Sequence, residues 1–465
     1  MNKYRLLLLI LFFAMQVAAE RVTITDFGAK GDGKSDNTTS IQKAIDHCEA
    51  NGGGTIYFPV GIYLSGSIFL KSNTTVNLAK GAVLKGIPDL DVYPGKHFLK
   101  KGFIRIDSVF NVTIDGEGTI DGSGDQEVFQ QGNNGNNRPY LVHCRKSKNV
   151  VIKNIHLVNS AFWTLRLFEN DGVRVDGITI ACQNNWNNDG IDIDSKNVII
   201  SNCRIDCDDD AICFKSDSKT LCENVVVTNC NLASNCNLIK FGTSSYGGFK
   251  NITVTNCVLH AASESKFRKW NELIPGVKDS ITGISGIALE VVDGGMMDQI
   301  NISNISMEGI QTPVFMRLGN RKNATGSLKN VLISNILATA SSPIASCISG
   351  VPGFYIENII IRDMIVNCKG GGITEDISRS VPENEKGYPE NRMFGNMLPA
   401  YGMYVRHVKN VSLDNIRFNL MQPDERPAIL FEDAKGITLR AFQATQSEKG
   451  QQLIIKKQSE VKLLD

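Results

Sequence analysis

The 465-residue sequence predicts an all-β fold, a single-stranded parallel β-helix closed at its N-terminal end by a capping helix, and three observations carry this reading. The phrase Asn-apolar-x-apolar-x-Asn recurs at 149–154, 197–202, 224–229, 251–256, 330–335 and 410–415, with degenerate copies at 111–116, 172–177, 299–304, 358–363 and 436–441. Self-similarity at such a period belongs to solenoids, in which each repeat buries its apolar face only against its neighbours. Within each copy Val and Ile alternate with polar residues at the period of a β-strand, and the closing Asn suits a turn. Cys203, Cys230 and Cys257 hold the same place in successive copies, 27 residues apart, as a stacked ladder of small buried thiols would. The hand of the coil does not follow from this pattern.

Taken in order, residues 1–19 read as a secretory leader. Lys3 and Arg5 precede an apolar run from Leu6 to Ala14, and small residues end at Ala19. Residues 20–465 are then expected to form one parallel β-helical domain. Asp36 caps a helix from about Asn37 to Ala50, followed by the turn NGGGT and the strand IYFP. The helix is expected to cover edge strands that would otherwise invite aggregation. Two stretches, roughly 261–285 and 366–402, interrupt the repeat. The second, which holds GYPENRMFGNMLPAYG, reads as a long loop arching over one face of the coil, and long loops in compact proteins are usually functional.

A formal net charge of +1, from 49 Lys+Arg against 48 Asp+Glu, supplies no basic field for nucleic acid or an anionic membrane. With the leader removed, the chain is expected to be secreted or periplasmic, free of the membrane and monomeric. Twelve cysteines in an exported chain suggest a disulfide framework, but the ladder argues for mostly free, buried thiols; Cys207 with Cys213 or Cys222 are the pairs left open.

The densest chemistry lies between Asn187 and Asp217, where eight aspartates fall at 189, 192, 194, 206, 208, 209, 210 and 217. Asp189 ends one repeat, and Asp209 and Asp210 occupy the equivalent place in the next. Stacked strands lie about 4.8 Å apart, so these carboxyls should share one patch on the outside of the coil. Mutual repulsion should raise at least one pKa and so set an acid beside a base. Inverting glycoside hydrolysis needs that pairing. Asp192, Asp194 and Asp206 read more simply as turn formers. Clustered carboxylates could also hold calcium, but the EF-hand spacing is absent and neither metal nor cofactor is expected.

NNDG at 187–190 and DDAICFKS at 209–216 resemble the NTDG and GDDCIAIKS motifs of the polygalacturonase and rhamnogalacturonase family, glycoside hydrolase family 28. ITDFGAKGDGKSDNTTSIQKAI (24–45), GGGTIYFPVGIYLSG (52–66) and NSAFWTL (159–165) are similar to further family segments, so the likeness extends over most of the chain. The resemblance implies a right-handed coil and single displacement with inversion. It also implies Asp209 as general acid, with Asp189 and Asp210 activating water. Two departures qualify it. Asn237 stands where the family's GHG motif has histidine, and ALE (288–290) replaces RIK, so that Glu290 takes the place of a lysine that grips galacturonate. Glu290 should repel such a carboxylate, which turns the expectation from plain polygalacturonate toward another pectic glycan such as rhamnogalacturonan.

Two cations are candidate replacements. Lys240, 27 residues beyond Cys213, should project beside the acids, or else pair with Glu290. Arg166 alternates with Leu165 and Leu167 and should also point outward, while Trp163 reads as core. Two rival functions stay open: a polysaccharide lyase acting on uronic-acid glycans, and a non-catalytic glycan-binding solenoid. If the loop around Tyr388 to Tyr401 walls off the cleft, attack from a chain end follows.

Overall fold

The computed structural model describes residues 20–95, 101–446 and 452–464. The leader expected at 1–19 lies outside the described residues. The chain winds into a right-handed parallel β-helix. The strand Ile191–Ser201 shows the logic of one turn: it pairs in parallel with Leu165–Asp176 on one side, and with Ile212–Ser216 and Cys222–Thr228 on the other. A third short strand completes the turn, as Thr179–Cys182 pairs with Arg204–Cys207 and that in turn with Asn231–Ser234.

Alternation decides what faces inward. Val198 and Ile200 lie beside Val225 and Val227, then Ile252 and Val254, then Ile300 and Ile302, all buried. The core runs unbroken along the coil from Val22 to Leu439. Near the site it includes Phe214 stacked on Phe241, with ring centroids 4.2 Å apart. Full burial of such side chains contributes about 1.5–3 kcal/mol each, which makes the inner rows the source of the fold's stability.

The asparagines of the repeat do more than close a turn. Both the first and the last Asn of the phrase adopt the left-handed conformation, for example Asn197 at φ 57° and Asn202 at φ 58°. Asn tolerates that region better than most residues, because its side chain can hydrogen-bond locally. Where the phrase degenerates, Gly172 and Gly177 take the same conformation at φ 78° and 65°. The side chains also stack: Asn224 Nδ2 donates to Asn197 Oδ1 at 3.1 Å, and Asn251 Nδ2 to Asn224 Oδ1 at 2.8 Å.

The N-terminal helix spans Thr38–Ala50 and buries Ile41, Ala44, Ile45 and Cys48. Asp36 accepts from the Thr38 amide at 2.8 Å. Gln42 covers the neighbouring edge as a strand would, accepting from Phe69 N at 2.9 Å and donating to Phe69 O at 3.1 Å. All twelve cysteines are buried and unpaired. Residues 262–282 form a strap carrying the short helix Trp270–Leu273, and residues 369–402 form a second insertion before Met403–Leu420. Trp270, Ile274 and Val277 from the strap pack in one apolar cluster with Phe394 and Leu398 from the second insertion.

Asp192, Asp194 and Asp206 are not turn residues. The first two lie inside Ile191–Ser201 and the third inside Arg204–Cys207. Outward positions in a strand can hold acids when cations stand nearby, as Lys215 does for Asp192 and Arg166 for Asp194, whereas Asp206 Oδ1 accepts from the Ser263 amide at 3.2 Å.

Candidate active site

Strand register builds the site. Ile191, Ile212 and Ile239 stand in one row. Gly190 N donates to Asp210 O and Ala211 N to Asn237 O, each at 2.9 Å, so Asp189, Asp210 and Asn237 follow one another up the coil. In the next outward row Arg166, Asp192, Cys213, Lys240 and Ala288 are consecutive partners. The acids converge because the sequence places them at equivalent points of successive turns.

Asp210 is the most strongly held. Its Oδ1 accepts from Asn237 Nδ2 at 2.7 Å, and Lys240 Nζ stands 3.4 Å from its Oδ2. Burial alone would raise this carboxyl, but Lys240, then Lys215 and the Asn237 amide, outweigh it and keep it well below the ordinary range. Asp189 goes the other way: burial, then the neighbouring Asp192 and Asp209, push it well above that range, against the pull of Lys215 at 3.8 Å. The two stacked carboxyls are therefore shifted in opposite directions, Asp189 upward by burial and its acidic neighbours and Asp210 downward by its cations. Asp209 Oδ2 accepts from Arg268 Nη2 at 2.7 Å, and its Oδ1 accepts from the Asp210 amide at 3.0 Å. Asp208, third of the consecutive acids, turns away to accept from Ser265 Oγ at 2.5 Å and so anchors the strap.

Asp189, Asp209 and Asp210 line a cavity of about 280 Å³ with Trp163, Lys215, Asn237, Lys240, Arg268, Trp270, Tyr388, Glu390 and Arg392. That is near the lower end for ligand cavities. A larger groove of about 570 Å³ runs along the Asn columns at Asn304, Asn335 and Asn415, but Asp363 is its sole acid and it gathers no carboxylate cluster.

Expectations at three residues need correction. Arg166 is fully buried and does not line the cavity; it pairs with Asp217 and lies 3.8 Å from Asp194. Glu290 does not line it either, since it sits behind Lys240, 3.9 Å from Nζ. Burial raises its carboxyl to about 8 against the smaller opposing effect of Lys240, so at neutral pH it is uncharged and repels nothing. Trp163 is not core: it lines the cavity with Lys215 Nζ 4.6 Å from its ring centroid. Lys240 meets both readings, lining the cavity while bridging Asp210 and Glu290, with Tyr388 Oη at 3.4 Å.

Arg268, Trp270 and Arg392 escaped the sequence reading because they lie in the two insertions, where no repeat fixes their direction. Lys215, inside the family-like DDAICFKS, could have been found by its place two residues past Cys213. A cation site is geometrically conceivable, since ligand atoms of Asp209, Asp210 and Cys236 lie within 4.8 Å of one another. The donors do not fit one: Arg268 and Lys240 already neutralise the carboxylates, and burial drives the Cys236 thiol well above its usual range, so it stays protonated.

A carboxylate cluster in a small cavity on the flank of a parallel β-helix places the protein among carbohydrate-active β-helices. The chain belongs to glycosyl hydrolases family 28, whose model matches residues 48–384. It is 32% identical over 236 residues to a probable polygalacturonase of Vitis vinifera, covering 46% of this chain and 48% of that one. It is 27% identical over 251 residues to an exo-poly-alpha-D-galacturonosidase of Dickeya chrysanthemi, covering 42% and 41%. The chain thus spans about half or less of these relatives' own length. In fold it is similar to the crystal structure of an exopolygalacturonase from Thermotoga maritima, with a TM-score of 0.66, 23% identity, and coverage of 76% of this chain and 88% of the other. Among the described residues no helix is long and apolar enough to cross a membrane.

Proposed function

We propose that residues 20–465 form a secreted hydrolase, freed of its leader at 1–19, that cleaves galacturonic-acid-containing pectic glycans by single displacement with inversion. The observation that carries this reading is the stacking of Asp189 on Asp210, with Asp209 alongside, in a cavity that also holds Lys240 and Arg268. Asp210, kept ionised by Lys240, takes a proton from water as the water oxygen bonds to the anomeric carbon. Asp189, whose carboxyl burial pushes up, orients that water from the neighbouring turn. Asp209, having taken up a proton from solvent, passes it to the departing glycosidic oxygen as the carbon–oxygen bond breaks. No metal is required for any of these steps.

The glycan we favour is a pectic backbone other than plain polygalacturonate, rhamnogalacturonan among the candidates. Asn237 replaces a histidine and an uncharged Glu290 replaces a lysine, so Lys215, Lys240, Arg268 and Arg392 are left to meet a uronate. Attack from a chain end is supported by the two insertions, which meet over the cavity where Arg392 lies 5.0 Å from the Trp270 ring centroid. Two of the similar proteins described above carry exo-acting names, which agrees with that reading.

A second reading gives the acid role to Asp189, favoured by its raised protonation and by an Oδ1 with no hydrogen-bond partner among the described residues. Activated substrates separate the two, since a nitrophenyl leaving group needs no protonation. Asp209→Asn should lower hydrolysis of the natural glycan by about 10²–10⁴-fold yet retain most of the rate on 4-nitrophenyl galacturonide. If Asp189→Asn shows that pattern instead, the roles exchange. Proton NMR of the first product's anomeric signal tests inversion, and a retained configuration refutes the mechanism.

A further inference from the structure

Arg268 stands apart from the other cations of the cavity. Each cation there already faces an acid of the protein: Lys215 meets Asp189 and Asp192, Lys240 meets Asp210 and Glu290, Arg392 meets Glu390, and Arg268 meets Asp209. An anionic sugar entering this cavity must therefore take a cation from an existing partner. Lys240 is 3% exposed and Lys215 10%, against 15% for Arg268. Arg392 is more open, but it is tied to Glu390 two residues away, and its release would free no carboxylate beside the reacting bond.

The build of the strap around Arg268 separates a fixed backbone from a movable side chain. Arg268 O accepts from Asn235 Nδ2 at 3.2 Å, and Trp270 Nε1 donates to Asn235 O at 3.0 Å. The guanidinium reaches inward with its carbon 5.0 Å from the Trp186 ring centroid, and Nη1 donates to Asp208 O at 3.1 Å. Its one side-chain hydrogen bond to an acid goes to Asp209 Oδ2 at 2.7 Å. Asp209 Oδ1 is already engaged by the Asp210 amide, so Oδ2 is the oxygen left to face a substrate, and Arg268 covers it. A guanidinium grips a carboxylate best through two parallel bonds, which a uronate can offer and Asp209 here does not.

We infer that Arg268 is the receptor for the substrate's carboxylate, and that it exchanges Asp209 for that carboxylate on binding, which uncovers Asp209 Oδ2 to take up a proton from solvent and pass it to the leaving oxygen. This rests on the proposed reaction with Asp209 as acid. The uronate thereby assembles the site that cleaves it, and a methyl-esterified or neutral sugar of the same shape leaves the latch closed. Arg268 belongs to the 262–282 strap rather than to the repeating coil, so selectivity for charge is carried by an insertion.

The test compares kcat/KM on a free-acid oligogalacturonide with that on its methyl ester. Wild type should favour the free acid, Arg268→Gln should reduce that preference at least tenfold with an unchanged melting temperature, and Arg268→Lys should restore part of it. An unchanged preference in Arg268→Gln overturns the inference. A second measurement does not depend on the folding of Arg268 variants. Asp209→Asn keeps Arg268 but removes the acid that occupies it, so galacturonate should bind by calorimetry about tenfold more tightly than to wild type, with galactose unaffected. Asp210→Asn frees Lys240 rather than Arg268 and should gain clearly less; an equal gain there would make Lys240 as good a receptor and overturn the assignment to Arg268. If Asp209→Asn leaves hydrolysis of the natural glycan intact, the acid assignment falls and the latch falls with it. If that hydrolysis is lost while the preference for charge ignores Arg268, the latch alone fails.

Discussion

Glu290 offers a perturbation whose size follows from its surroundings. Its carboxyl is 1% exposed, and neither oxygen has a hydrogen-bond partner among the described residues. Burial raises it from the ordinary 4.5 to about 8, with Lys240 at 3.9 Å opposing the rise. Below pH 4.5 the folded and unfolded chains both hold this proton, and the group adds no pH dependence. Between 4.5 and about 8 the folded chain keeps the proton and the unfolded chain releases it, so stability falls as pH rises, by about 1.4 kcal/mol per unit at most. Above 8 both forms are ionised and the loss is complete, with an upper bound of about 4–5 kcal/mol. Glu290→Gln has nearly the same shape and does not titrate, so its advantage over wild type should grow from nothing near pH 4.5 to a plateau above pH 8. For 465 residues, an unfolding entropy of about 2.1 cal/mol/K per residue sums to about 1 kcal/mol/K. The variant should therefore melt about 2 °C higher at pH 6 and up to about 4–5 °C higher at pH 8. Scanning calorimetry of both proteins at one scan rate from pH 4 to 9 measures this. Melting curves that stay a constant distance apart would refute the reasoning, because a difference independent of pH cannot come from a titrating group.

Three further outcomes follow from the same geometry. Asp210→Asn should abolish measurable hydrolysis, by about 10³-fold or more, without lowering the melting temperature by more than a few degrees; rates on the natural glycan with a thermal scan check both. Asn224→Ala places a Cβ-bearing residue without a local hydrogen-bonding side chain at φ 57° and breaks two rungs of the Asn column. It should cost about 1–2 kcal/mol, whereas Asn224→Gly should cost less, as denaturant unfolding would show. Tyr388→Ala removes the aromatic wall beside Lys240, so on the proposed chain-end attack product analysis by anion-exchange chromatography should find mixed oligomers early from the variant and one species from wild type.

The coil was legible because its signal is redundant. Asn197, Val198 and Ile200 recur in kind at Asn224, Val225 and Val227, and the register pairs the apolar residues as the repeat requires. That register also placed Asp189 against Asp210, so the acids could be found from spacing alone. Three kinds of information were missing from it. Asp192 and Asp194 resemble turn residues in a sequence that says nothing of Arg166 and Lys215, the cations that make them tolerable in a strand. Arg166 points outward as alternation requires, yet outward is not exposed when Asp217 folds over it. Arg268 and Arg392 sit in insertions whose path is set by tertiary packing of Trp270, Phe394 and Leu398, which no periodicity encodes.

The charge pattern explains why the chemistry sits where the repeat is interrupted. Stacking like residues on successive turns serves asparagine and valine well, since each copy satisfies its neighbour. Applied to aspartate, the same stacking sets like charges about 4.8 Å apart, so an uninterrupted ladder of acids would be self-repelling. The chain relieves this in two ways. Within the coil the rows alternate in sign, with Arg166 beside Asp192 in one row, Lys240 two turns further along it, and Lys215 reaching across to Asp189 and Asp192. Outside the coil, the 262–282 strap delivers Arg268 to Asp209, the one acid of the three to which the coil supplies no salt-bridging cation. A cation supplied by a separate segment can be displaced by a substrate without disturbing the ladder, whereas Lys240 cannot leave Asp210 without stranding a buried charge. Rigid neutralisation at Asp210 and exchangeable neutralisation at Asp209 are what the proposed fixed base and the proposed substrate-released acid require.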